Sequence, residues 1–200
     1  MNEIEVFVLA DRTLNGVVDQ IRDDQWSMTM PPEFATMGAQ GPITLREVIN
    51  YHAYDDAWVP DMLAGRTMAD VGEGAYGGDL LGNDPKAAFA AVVDRACVAA
   101  AELDDPERPV HCSYGDFPAA EFLTHITSFR GLRAHDIAAA VGVSTVLPPA
   151  LVQGLWDQIE PSAEQWRAMG VFGPAVEVPA GASLQNRLLG LTGRRPDDPA

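Results

Sequence analysis

Titratable side chains that fall inside apolar helical stripes are the residues of this sequence best placed to do chemistry. At about 100° per residue along 44–63, Leu45, Val48, Ile49, Val59 and Leu63 share one face. His52 and Asp56 point to the middle of that face, and Asp55 lies on its edge. Along the stretch ending at Val141, Phe122, Ile126, Phe129, Ile137 and Ala140 define a second apolar face. The same wheel sets Arg133 at its centre, His125 and Asp136 on its flank, and His135 outward. Charges are almost never fully buried unless paired, so the two helices are expected to turn these residues toward each other. The expected pocket comprises His52, Asp56, Arg133, His125 and Asp136, with Arg133 paired to Asp56 in the bidentate geometry that suits guanidinium and carboxylate. Such a cluster can recognise an anionic small molecule, or it can fix helix register with no catalytic duty; both readings stand at this point.

Helices must position these groups, and the sequence marks where they start and stop. Residues 3–21 carry Ile4, Val6, Phe7, Leu9, Leu14, Val17, Val18 and Ile21 at helical spacing. Thr44 with Glu47 three residues later is a capping box, opening a second helix that runs to Leu63 before Gly65. A loop with Pro31, Pro32, Gly38, Gly41 and Pro42 connects the two, with Trp26 and Met28 tucked against the bundle. The glycine-rich segment 65–84 is read as a long loop and a candidate lid. Asp84-Pro85 caps an Ala-rich third helix over 85–103, with Cys97 on its inner face as a small core residue. Residues 110–112 form a short extended piece. Asp116, with Pro118 in the first turn, starts a fourth helix to Val141, ended by Gly142. Pro148-Pro149 opens a fifth helix to Met169, residues 171–179 are extended, and a short helix from Ser183 to Leu191 closes the chain. The expected fold is an all-α, up-and-down four-helix bundle with an additional helix over residues 1–170, and an extended tail with a short helix over 171–200.

Composition narrows the function. Thirteen Lys+Arg against 29 Asp+Glu give a net charge of −16, which disfavours nucleic acid and anionic membrane surfaces as partners. Two cysteines, Cys97 and Cys112, are too few for a disulfide scaffold. No apolar run approaches the roughly 20 residues of a membrane span. A cytoplasmic protein is expected. Cys112 stands near a helix start with only His111 as a basic neighbour, a weak setting for a nucleophile.

Three segments carry a resemblance. They are T-L-R-E-V-I-N-Y-H-A-Y at 44–54, H-D-I-A-A-A-V-G at 135–142, and V-F-G-P-A-V-E-V-P at 171–179 followed by N-R-L-L-G-L-T-G-R at 186–194. Together they resemble the DinB/YfiT-like superfamily, in the branch related to the metal-binding domain of mycothiol-dependent maleylpyruvate isomerase, and the last of them is similar to actinobacterial members. The resemblance implies a DinB-like four-helix bundle, in which metal-bearing relatives use one ligand from the second helix and two from the later one. It implies a divalent metal (zinc or nickel), a thiol cofactor held as thiolate, and a possible homodimer. His52 matches the first metal histidine, whereas the later positions fall on Phe129 and Arg133, neither of which is a ligand. The expectation is therefore a degenerate metal site in which Arg133 replaces a ligand, binding a small anionic molecule or serving no catalysis. The alternative is a metal-binding, thiol-dependent transferase or isomerase using His52 with a displaced ligand, His125.

Overall fold

The computed structural model describes residues 1–34, 41–72 and 74–196; Gly38 of the first connecting loop lies outside them. Local signals set the helix starts. Asn2 and Glu5 form a capping box at the head of α1 (Glu3–Val18), and Thr44 and Glu47 do the same for α2 (Leu45–Leu63). A single helical turn, α3 (Met68–Val71), interrupts the glycine-rich segment. The Asp84 side chain accepts the Ala87 N–H at the start of α4 (Pro85–Ala101). A two-stranded antiparallel hairpin follows, β1 (Pro109–Cys112) and β2 (Gly115–Pro118). Then come α5 (Ala119–Val141), α6 (Pro149–Ile159), α7 (Ala163–Ala168) and α8 (Leu184–Leu191).

The long helices form an all-α, bundle-like array. α1 lies between α5 and α4, α2 packs on α4, α6 crosses α1 and α5, and α8 caps α6. No helix among the described residues is long and apolar enough to cross a membrane. Two boundaries differ from the sequence expectation. Asp116 and Pro118 belong to β2, and α5 starts at Ala119, because Val110 is buried and the hairpin pairs back on it. The helix expected over 149–169 breaks after Ile159, where Pro161 lacks the N–H that a continuing helix needs.

The apolar core has two parts. One gathers Ala10, Leu14, Ile49, Ala53, Val93, Leu132, Ala134 and Leu151 with many others. A smaller one holds Phe7, Val59, Leu63, Ala96, Ala100, Val110, Phe122 and Leu123. Thus α1, α2 and α5 each change from one cluster to the other partway along their length, and the residues at the change decide what the junction is.

Glycine permits a close crossing of α6 on α1. A Cβ on Gly154 of α6 would lie 2.6 and 2.9 Å from the γ-methyls of Val6 on α1, and a β-branched side chain has little freedom to move away. Gly154→Ala is expected to destabilise the fold by about 1–3 kcal/mol, read as a lowered urea midpoint with an unchanged m-value.

Candidate functional site

Where the two core clusters meet, the three helices place charge. Asp11 on α1 falls between Phe7 and Leu14, Asp56 on α2 between Ala53 and Val59, and Arg130 on α5 between Leu123 and Ala134. All three are fully buried. Arg130 Nε donates to Asp56 Oδ1 at 3.0 Å, and its Nη2 donates to the same oxygen. Asp11 Oδ1 lies 3.4 Å from Nε, and Asp55 Oδ2 lies 3.5 Å from Nη1. One guanidinium therefore faces three carboxylates. Burial, then repulsion by Asp56, pushes the Asp11 carboxyl well above the usual carboxylate range against the pull of Arg130. Burial also raises Asp56, and it raises Asp55 to about 6. The charge of Arg130 is held firmly by its three partners although burial opposes it.

His52 is buried beside this layer. Desolvation, followed by the charges of Arg130 and Arg133, keeps its imidazole neutral well below the ordinary histidine range. Its Nδ1 has no hydrogen-bond partner among the described residues.

Outside the layer, α5 turns a second face to a cleft of about 730 Å³. His125, Ser128, Phe129, Leu132, Arg133, His135, Asp136, Ala139 and Ala140 line it from α5, one broad side of the helix. Phe34 covers one side, while Trp166, Phe172, Gly173, Gly193, Arg194 and Arg195 close the other. The C-terminal wall is fastened firmly. Arg194 Nε and Nη2 each donate to a different oxygen of Asp136 at 2.9 Å. Arg167 donates to the carbonyls of Gly173 and Leu191. Gly173 and Gly193 touch so closely that a Cβ on Gly193 would lie 2.9 Å from Gly173 Cα. Burial opposes ionisation of Asp136, but bonds from His135 and Arg194 and the charge of Arg133 outweigh it and hold the carboxyl near 2.

Arg133 lies over the Phe34 ring, its guanidinium carbon 4.5 Å from the centroid. Its Nη2 donates to the Glu33 carbonyl, and its Nη1 stands 3.7 Å from Asp136, beyond hydrogen-bond reach. The remaining N–H groups make no hydrogen bond among the described residues. At the other end of the cleft, His125 is walled by aromatic rings, Phe117 at 4.8 Å, Trp166 at 5.8 Å and Tyr114 at 6.0 Å. Burial lowers its affinity for a proton, and Glu121, 3.7 Å from Nε2, opposes that only weakly.

The five expected pocket residues thus divide between two places. His52 and Asp56 belong to the buried layer, whereas Arg133, His125 and Asp136 line the cleft. The expected pairing of Arg133 with Asp56 is replaced by Arg130 with Asp56. Phe129, expected inside, is 45% exposed, and His135, expected outside, is buried. The orientation of α5 explains the first two: its inward stripe runs through Leu123, Thr127, Arg130, Ala134, Ile137 and Val141, about 80° from the face expected on the wheel, whereas His135 lies well off that stripe and is buried at the edge of the cleft. Asp11 and Arg130 were not recognised in the sequence, although Asp11 occupies the stripe of Phe7, Leu14 and Val18. Cys97 is a buried core residue, and burial raises the Cys112 thiol rather than activating it.

The residues present do not suit a divalent metal shared by His52 and His125. No group of three or more His, Cys, Asp or Glu able to hold a metal ion occurs among the described residues. The charges acting on His52 are those of two guanidiniums, which repel a dication in a poorly solvated interior, and His125 is occupied with the aromatic wall.

Removing the cation of the buried layer strands three carboxylates, so Arg130→Met is expected to cost about 3–5 kcal/mol. Arg133→Met, at the cleft, is expected to cost under about 1 kcal/mol; paired urea titrations check both. The raised carboxyls set the pH dependence. The folded chain retains protons on Asp11, Asp55 and Asp56 that the unfolded chain releases near 3.8, so this contribution is full below that value and is lost as pH rises through the raised folded-state range, about 6 for Asp55. Stability is expected to fall between pH 5 and pH 7, less steeply in Asp55→Asn, as urea midpoints across that range will show. No protein-family model, no curated protein and no solved structure matches the chain, and the geometry of the layer and cleft is therefore the ground for reading its function.

Proposed function

We propose that the chain is a DinB-like helical bundle whose cleft receives a small organic anion at Arg133, in place of a metal. The observation that carries this reading is the state of Arg133: a partly desolvated guanidinium with unused N–H donors in a cleft of ligand size. Burial works against its charge more strongly than Asp136 supports it, so an added anion would supply the missing compensation. Charge distribution supports the same reading. Of 13 Lys+Arg in the chain, Arg133, Arg194 and Arg195 line this cleft, against Glu33 and Asp136 of 29 acidic residues. In a protein of net charge −16 that local excess is unexpected unless something anionic is held there.

The placement of the DinB-like segments also supports the family reading. Asp136 lies in the segment 135–142, Phe172 and Gly173 in 171–179, and Gly193 and Arg194 in 186–194; all of them line the cleft. Arg133, at the position of a metal ligand in relatives, stands among them.

The test is a titration with acetate and with inorganic phosphate, followed by backbone amide chemical shifts. Saturable shifts at Gly173 and Gly193 are expected, weakened about tenfold or abolished in Arg133→Met. Shifts scattered over the surface, or unchanged binding in Arg133→Met, would overturn the reading.

A further inference from the structure

The cleft has two chemically different ends, and we infer that its ligand does too: a carboxylate at Arg133 joined to an aromatic ring lodged between Phe129 and Trp166. This rests on the proposed anion site and names the class of molecule that the site accepts. His125 and Arg133 are eight residues apart on one stripe of α5, about 12 Å along the axis. The Arg133 end is polar, with Asp136, Arg194 and the Glu33 carbonyl around it. The other end is aromatic. Trp166 meets His125 edge-on at 5.8 Å, and Phe172 backs Trp166 at 6.4 Å. Phe129 lines the same cleft yet is 45% exposed, a large apolar surface that the fold itself does not cover. A neutral His125 imidazole adds no charge to that end. An acetate-sized anion would satisfy the guanidinium and leave this wall wet. A flat ring covers it by the offset or edge-to-face contacts that aromatic groups prefer.

Arg194 does not compete for the carboxylate, because two of its nitrogens are committed to the two oxygens of Asp136. That pair acts instead as a positioning element, keeping Asp136 from folding onto the free N–H groups of Arg133. The ligand's acidic end therefore meets Arg133, with Arg195 also on the lining, and its orientation is decided by the asymmetry between the two ends.

Amide-shift titrations of the full chain with acetate, 4-phenylbutanoate and 4-phenylbutan-1-ol separate the contributions. In the wild type, 4-phenylbutanoate is expected to bind about tenfold or more tightly than either of the other two. Phe129→Ser, at a half-exposed position, is expected to remove most of the advantage over acetate while leaving acetate affinity unchanged. Trp166→Leu gives a second reading of the aromatic end, and Arg133→Met is expected to bring 4-phenylbutanoate down to the affinity of the alcohol. If acetate binds through Arg133 and the phenyl group adds nothing, the aromatic end is wrong and the anion site stands. If no carboxylate binds in the cleft, both readings fall. If the alcohol binds as well as the acid, the cleft is an apolar pocket and the carboxylate requirement is refuted.

Discussion

The interior is organised by one cation that cannot reach water. Arg130 is entirely buried, and the groups that compensate it come from two other helices, Asp11 from α1 and Asp55 and Asp56 from α2. The guanidinium links α5 to α2 across the core. A layer of this kind adds little net stability compared with well-packed apolar residues. Its effect is geometric. Each helix has one charged level, and sliding any of them by a turn would leave a carboxylate or the guanidinium unpaired in the apolar clusters above or below. The layer fixes register where the oily contacts on either side would tolerate several.

The same helix performs two tasks because it has two working faces. One turn past Arg130, Arg133 leaves the interior and enters the cleft, so residues three apart in sequence sit in two different environments. The charges of both reach His52, whose neutrality is thus a property of the layer as well as of burial. A histidine in that electrostatic setting is a poor base and a poor partner for a cation.

Much of this architecture was legible in the chain because it is written locally. Thr44 and Glu47 announce α2, Asp84-Pro85 announces α4, and the burial of His52 and Asp56 follows from the spacing of Leu45, Val48, Ile49 and Val59. The orientation of α5 was not legible in the same way. The middle of its inward stripe is Thr127, Arg130 and Ala134, residues that weigh little on a hydropathy wheel. Its cleft stripe carries Phe129 and Leu132, which weigh heavily. A helix apolar on two faces gives no single direction to follow, and its hydropathy favours the face of Arg133 over that of Arg130. Asp116 and Pro118 mimic a helix start while belonging to a hairpin, and only the pairing of Phe117 with Val110 distinguishes the two.

The far wall of the cleft comes from residues between 166 and 195. Gly173 and Gly193 meet there, and Arg194 reaches back to a carboxylate on α5 58 residues earlier in sequence. The cleft is thus closed by segments far apart along the chain: without the Arg194–Asp136 pair and the Gly173–Gly193 approach one side of it would open, while the packing of α1 against α4 and α5 would be untouched.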